Sequence, residues 1–215
     1  ISFFIPRENL LEPQDAFSYE AETTIPEAEA QNADMITARF KTGVVCNNRL
    51  YVGNVYQEGK IYSDRMLKSV KNKYGILPKS NFLDVAVNDG DEIISLQYYQ
   101  DKILQFKRKK LFILNISDEQ DEFIEDTIEG AGISDESQIV KTIHGITWIN
   151  ERGLFVFNGN SVSNLIDDKL AVAKWKDTIS GWDINGYFRP ILGYDRFNDK
   201  LMILPTGYSV QDIMN

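Results

Sequence analysis

The residue types that could carry chemistry are few and far apart. His144 is the single histidine of the chain and Cys46 the single cysteine. A Ser-His-Asp or Cys-His arrangement would have to use them. His144 stands between Ile143 and Gly145, at the bend between two apolar runs, and the chain has no Gly-x-Ser-x-Gly elbow. That setting favours a turn or packing role over a catalytic one. Cys46 lies between Val45 and Asn47 at a strand end and reads as a small buried hydrophobe.

Other motifs are weighed in the same way. The acidic run Asp118 to Asp126 could attract calcium, but it lacks the central glycine and alternating ligands of an EF-hand loop, so a solvated loop is expected. Gly130-Ala131-Gly132 has no Lys-Ser/Thr behind it and no strand–helix context, so it reads as a wide bend and not a phosphate cradle. The positive patches are Lys68, Lys71, Lys73 and Lys79, and the tract Lys107-Arg108-Lys109-Lys110. The tract spans a hairpin turn, where charges are ordinarily solvated; contact with an acidic neighbour or with DNA in a multimer is the alternative. Trp148, Trp175 and Trp182 are expected in core or inter-subunit packing, not on a sugar-stacking platform. No catalytic, cofactor-binding or metal-ligating residue is assigned, and no enzymatic activity is expected.

Composition narrows the classes further. One cysteine makes no internal disulfide, and one cysteine with one histidine cannot build a zinc finger or an HExxH site. The formal charge of −9 argues against a general nucleic-acid binder, which needs clustered Lys and Arg. No apolar run reaches the roughly 18 residues of a spanning helix. Ile1-Ser2-Phe3-Phe4-Ile5 is apolar but has no basic flank and stops at Pro6, unlike a signal peptide. The chain opens without Met, which reads as a fragment or processed piece of a longer protein. Its 215 residues suit one domain, or one plus an extension, and 43% hydrophobic residues suffice for an ordinary core.

The elements that must position these residues are mainly β. Residues 1–35 form an acidic arm or linker: Glu12 to Asp34 has seven acids and no Lys or Arg, and Pro13 and Pro26 interrupt any helix. It is either an extended arm or a solvated tail. Residues 36–215 show short β-branched and aromatic runs split by turn residues. Asn47-Asn48 turns the chain between Gly43–Cys46 and Leu50–Gly53, and Lys60–Ser63 follows. Arg65 to Lys79 reads as basic and irregular. Asp89-Gly90-Asp91 turns into Ile93–Tyr99; Gln100-Asp101 returns it as Lys102–Lys107, and Leu111–Ile116 follows: a meander. Gln138–Ile143, Gly145–Ile149, Leu154–Phe157 and Ser161–Leu165 repeat the grammar, as do Pro190–Asp195 and Lys200–Leu204.

Hairpins near residues 47, 101, 151 and 197 recur about every 50 residues, the spacing of propeller blades. The fold class expected is mainly β: antiparallel meanders forming β-propeller-like blades, the last truncated, behind an extended N-terminal arm. A β-sandwich with irregular loops is the rival.

The order of elements carries a resemblance. Asn48-Arg49-Leu50-Tyr51-Val52 is followed by Lys60-Ile61-Tyr62-Ser63-Asp64, Asn81-Phe82-Leu83-Asp84-Val85 and Asp89-Gly90-Asp91-Glu92-Ile93-Ile94-Ser95-Leu96. Then come Asp101-Lys102-Ile103-Leu104-Gln105-Phe106-Lys107, Leu111-Phe112-Ile113-Leu114, Ser137-Gln138-Ile139-Val140, Gly145-Ile146-Thr147-Trp148-Ile149 and Gly153-Leu154-Phe155-Val156-Phe157-Asn158-Gly159. Across residues 36–166, and more loosely 190–205, this series resembles the tail nozzle proteins of short-tailed bacteriophages, also called tail tubular protein B or phage stabilisation proteins. It is similar to the muzzle component of crAss-like phage tails as well. The resemblance implies a virion structural protein of the tail, made in the bacterial cytoplasm. It implies copies of the chain in a ring, typically six-fold, contacts with the portal adaptor and other tail proteins, transient passage of DNA without specific binding, and no membrane insertion. No cofactor is implied. The acidic balance suits a conduit whose negative wall repels phosphate. The competing expectation is a propeller-type carbohydrate-binding or receptor-binding module, with an exposed aromatic platform near Trp148 or Trp182 and carboxylates facing a groove; a scaffold for protein partners is the third.

Overall fold

The computed structural model describes residues 38–57, 59–78, 80–85, 89–118, 122–167, 172–179, 182–184 and 187–205. The acidic arm expected over residues 1–35 lies outside these.

Three four-stranded sheets follow one another along the chain. The first has strands β1 (Ala38–Cys46), β2 (Arg49–Gln57), β3 (Lys60–Lys68) and β4 (Phe82–Asp84). The second has β5 (Ile93–Tyr99), β6 (Lys102–Lys107), β7 (Lys110–Asn115) and β8 (Phe123–Glu129), and the third β9 (Ile139–Thr142), β10 (Gly145–Asn150), β11 (Gly153–Phe157) and β12 (Val162–Asn164). In each, spatial order equals sequence order and every pairing is antiparallel, so each sheet is a simple meander. A helix, Val172–Ile179, and the two-strand sheets β13 (Asp183–Ile184) with β14 (Tyr187–Phe188) and β15 (Ile191–Asp195) with β16 (Lys200–Leu204) complete the described chain.

Turn chemistry explains the tight connections. Asn47 and Asn48 both have left-handed backbone, with φ 48° and 57°, as a two-residue turn twisted to match its strands requires. Asparagine tolerates that region better than most residues. Gln100 takes φ 52° at the equivalent turn of the second sheet.

The sheets stack face to face. Tyr51, Met66 and Cys46 of the first meet Ile93, Leu96, Ile103 and Phe112 of the second. The opposite face of the second, with Leu104, Phe106, Leu111 and Ile113, meets Ile146, Trp148 and Phe157 of the third. The second sheet is therefore buried on both faces, which is why Ile103 to Phe106 shows no apolar–polar alternation. Trp148 is fully buried; Phe106 meets it edge-on with ring centroids 5.1 Å apart, and Phe155 stacks at 5.4 Å. The far face of the third sheet, through Ile149, packs against Trp175 and Ile179 of the helix and Leu192 of β15. Gly53 lets the first sheet approach closely: a Cβ there would lie 3.1 Å from Ile93 and 3.2 Å from Leu96. The β-bulge beside it turns Asn54 toward the second sheet, where its Nδ2 donates to the Ile93 carbonyl at 3.1 Å.

Four expectations need correction. Arg65 to Lys68 belongs to β3, because Met66 and Leu67 each bury on one face of the first sheet; the irregular connection begins at Ser69. Phe123 to Asp126 is not a solvated loop but the start of edge strand β8, paired with β7. The hairpin near residue 151 joins the second and third strands of its sheet, whereas those near 47 and 101 join the first and second. The true counterpart in the third sheet is the Ile143-His144 turn, closed by the Thr142–Gly145 pair. The helix Val172–Ile179 was not expected; it buries Trp175 and Ile179, four residues apart on one face.

Candidate functional site

A meander places its second-to-third turn and its crossover to the next sheet at the same end. Two clefts open there. One, of about 820 Å³, lies between the first and second sheets and is lined by Tyr62, Arg65, Asp84, Asp91, Glu92 and Arg108. The other, of about 350 Å³, lies between the second and third sheets beside Arg108, Gly130, Gln138, Asn150 and Arg152.

The basic tract Lys107–Lys110 sits at the lip of both clefts, and the expectation that its charges are merely solvated fails for Lys107. That side chain is completely buried, its Nζ 3.0 Å from Asp89 Oδ1 and 5.5 Å from the Phe112 ring centre. Lys110 reaches Asp89 at 3.5 Å and Glu129 at 3.4 Å. The Asp91 carboxylate accepts the backbone N–H groups of Arg108 (3.0 Å) and Lys109 (2.9 Å). The Arg108 guanidinium pairs with Glu92, which also accepts from Lys41 at 3.3 Å and from Asn54 at 3.0 Å. The tract is thus met by acids of its own crossover. Burial alone would raise the Asp89 and Glu92 carboxyls; hydrogen bonds from Lys107 and Arg108 respectively overcome it and hold both below the ordinary carboxylate range.

Aromatic faces at the larger cleft are also occupied. Arg65 makes a two-pronged bond to Asp84, both contacts at 2.8 Å. Its guanidinium lies 4.3 Å from the centre of the Tyr62 ring and 4.5 Å from that of Phe82. Lys60 also sits over Tyr62, at 4.9 Å. Cations therefore cover the Tyr62 ring.

The remaining candidate residues do not come together. Cys46 is buried between the first two sheets, where burial, then the nearby Glu122 charge, push its thiol up to about 12. It stays protonated and is a poor nucleophile. Beside it Glu122 accepts from Tyr51 Oη at 2.8 Å and from Lys68 Nζ at 2.7 Å. Burial, then this hydrogen bond, raise the Tyr51 phenol. His144 occupies an exposed turn at another junction. Its Nε2 lies 3.0 Å from Asp199 Oδ2, and Tyr194 Oη donates to Asp199 Oδ1 at 2.7 Å. Tyr194, then His144, hold the Asp199 carboxyl low. The imidazole partner is a carboxylate, and the hydroxyl of that cluster is a phenol bonded to the same carboxylate.

Of the acidic run, Glu122 faces Lys68, while Glu125 takes Lys102 and Asn115. No group of three His, Cys, Asp or Glu converges as a metal site among the described residues. Gly130-Ala131-Gly132 is the crossover from the second sheet to the third. Asn150 Nδ2 donates to the Gly130 carbonyl at 2.9 Å and to that of Gly132 at 2.8 Å. A Cβ at Gly132 would lie 2.4 Å from the Arg108 carbonyl oxygen, so glycine serves close approach. Lys68 is paired with Glu122; Lys71 and Lys73 lie on the β3–β4 connection, and Lys79 lies outside the described residues. Trp148 and Trp175 are buried, and Trp182 meets Trp175 edge-on. Sequence reasoning missed Asp89, Asp91 and Glu92 as counter-charges. One signal was available: they precede β5, whose hairpin partner β6 ends at Lys107, and the pairing of Ile93 with Lys107 brings these ends together.

No family model matches the chain, and no curated protein matches it either. Among the described residues, no helix is long and apolar enough to cross a membrane.

Proposed function

We propose that this chain is a structural component of a phage tail, part of the nozzle or muzzle ring around the channel through which DNA leaves. One observation carries most weight beside the sequence resemblance. Four-stranded meanders succeed one another in chain order and stack through apolar faces, as blade-like units of a propeller wall would. The polar groups at the clefts support the same reading, because Asp84, Asp89, Asp91 and Glu92 are engaged in holding turns and neighbouring sheets. Such a wall needs no catalytic group or cofactor. Its partners are further copies of the chain, the portal adaptor and other tail proteins, with DNA passing and not held. The acidic balance suits a channel lining that repels phosphate. A lumen dominated by Lys and Arg in the assembled particle would sink that part of the proposal.

The carbohydrate-binding alternative expects a platform near Trp148 or Trp182, but Trp148 is buried and Trp182 is partly buried edge-on against Trp175. The test is mass measurement and electron microscopy of the purified chain and of the particle that carries it. A ring, or density in a tail below the portal, is expected. A strict monomer that binds glycans overturns the reading.

A further inference from the structure

The cleft between the second and third sheets holds a buried donor without an acceptor. Gln138 lines this cleft of about 350 Å³ and is completely buried. Its Oε1 accepts the backbone N–H groups of Ser134 at 2.7 Å and Asp135 at 2.8 Å, and the Ser134 hydroxyl at 3.0 Å. Those bonds fix which way the amide points, because an NH2 group cannot accept from a backbone N–H. The other end is therefore Nε2, and it has no hydrogen-bond partner among the described residues. A buried N–H group left unpaired is costly, so this position calls for an oxygen from outside the chain. Asn150, which also lines the cleft, is fully engaged. Its Nδ2 donates to the Gly130 and Gly132 carbonyls, and its Oδ1 accepts the Arg152 backbone N–H at 2.8 Å.

The charges around the cleft narrow the class of acceptor. Arg108 is claimed by Glu92, and Glu129 is held by Lys110 at 3.4 Å. Lys109 and Arg152 remain, with side chains that make no ion pair or hydrogen bond among the described residues, and only the Glu151 carboxylate stands against them. Two cations and one anion leave a single positive charge, which suits a monoanion better than a phosphate dianion. The Arg152 side chain lies against the crossover: its Cζ is 2.7 Å from where a Cβ would stand on Gly130, so glycine makes room for it. We propose that this cleft binds a carboxylate, with one oxygen accepting from Gln138 Nε2 and with Arg152 and Lys109 as its counter-cations. The site stands on the geometry of the cleft and does not depend on the tail reading above.

The test follows the melting temperature of the full chain as sodium acetate is added, with sodium chloride holding the ionic strength constant. The wild type melts higher as acetate rises, and the gain follows a binding curve, because a ligand held only by the folded chain stabilises it by mass action. Gln138→Glu keeps an acceptor for the Ser134 and Asp135 N–H groups and removes the donor. Arg152→Gln changes an exposed side chain. Each variant weakens acetate binding about tenfold or more while melting near the wild type in chloride alone. If Gln138→Glu melts early, the readout becomes the side-chain amide signal of Gln138 in nitrogen-resolved spectra of the wild type, which acetate shifts and chloride does not. Inorganic phosphate binds more weakly than acetate; tighter binding overturns the choice of a carboxylate. N-acetylglutamate methylamide identifies the source. Tighter binding than acetate assigns a side chain of a neighbouring protein, and equal or weaker binding assigns a free small acid. A gain that both variants share is an adventitious salt effect only and overturns the inference. So does the absence of any gain, or a Gln138 signal that acetate leaves in place.

Discussion

Two junctions of this molecule are bridged by the same trio of groups, a carboxylate, a tyrosine and a basic side chain, and they differ in burial. Between the first and second sheets, Glu122 holds Tyr51 and Lys68 with its side chain 3% exposed. Between the third sheet and the final hairpin, Asp199 holds Tyr194 and His144 with its side chain 50% exposed. Water competes at the second and hardly at all at the first. A buried carboxylate that loses its partners is left with an uncompensated desolvation cost, whereas an exposed one is rehydrated. The first trio is a structural lock; the second is a surface contact that salt can screen.

Breaking the buried trio should have the largest effect. Glu122→Gln leaves the Lys68 charge without its partner, and chemical denaturation should show a loss of about 3 kcal/mol. Adding Lys68→Met should recover part of it. If the single change costs no more than a surface substitution, the contrast between the junctions disappears.

Alkali is a second way to strain the same junction. The Cys46 thiol is raised to about 12 in the fold, and Tyr51 is raised as well. A group whose folded pKa is raised stabilises fully below its unfolded value and loses that contribution as pH climbs through the folded one. Stability should therefore fall from about pH 8.5 upward on account of Cys46, with Tyr51 adding from about pH 10. At pH 8 the thiol of the folded protein should resist iodoacetamide, and only denaturant should release it; rapid labelling of the native chain contradicts this placement.

Burial without a partner sharpens the comparison from the other side. Gln105 is completely buried on β6, and among the described residues neither polar atom of its amide has a hydrogen-bond partner. Gln105→Leu should raise stability by about 1 kcal/mol, read from the denaturation midpoint. A loss would mean that the amide is satisfied in solution.

The smallest effect belongs to the exposed trio. Asp199→Asn should leave the global unfolding midpoint unchanged while hastening hydrogen exchange in the β15–β16 hairpin, and added salt should reproduce much of that change in the wild type.

Much of this architecture was legible in residue order. Asn47-Asn48 marks its hairpin because left-handed turns select asparagine, whereas Gln100-Asp101 is marked only as a polar break between apolar runs, with Gln100 taking the left-handed backbone. The apolar strands of the second and third sheets followed from β-branched and aromatic runs. The third repeat was misaligned because its first turn, Ile143-His144, lacks turn residues, whereas Asn150 to Gly153 is rich in them. β8 was hidden by its acids: all of its residues but Ile128 are exposed, so it shows no apolar–polar alternation. The Lys107–Asp89 pair was out of reach for another reason. Its partners are brought together by the register of a hairpin and the path of a crossover, and neither is written in a local pattern.

Every described sheet is assembled from strands adjacent in sequence, and this bears on how the chain acquires its shape. No strand of the first sheet waits for a distant partner, so that meander can form while later residues are still being synthesised. Each completed sheet then offers an apolar face on which the next can condense. A ribosome would thus release a stack grown from its amino-terminal side, with the β15–β16 hairpin the last described element to dock.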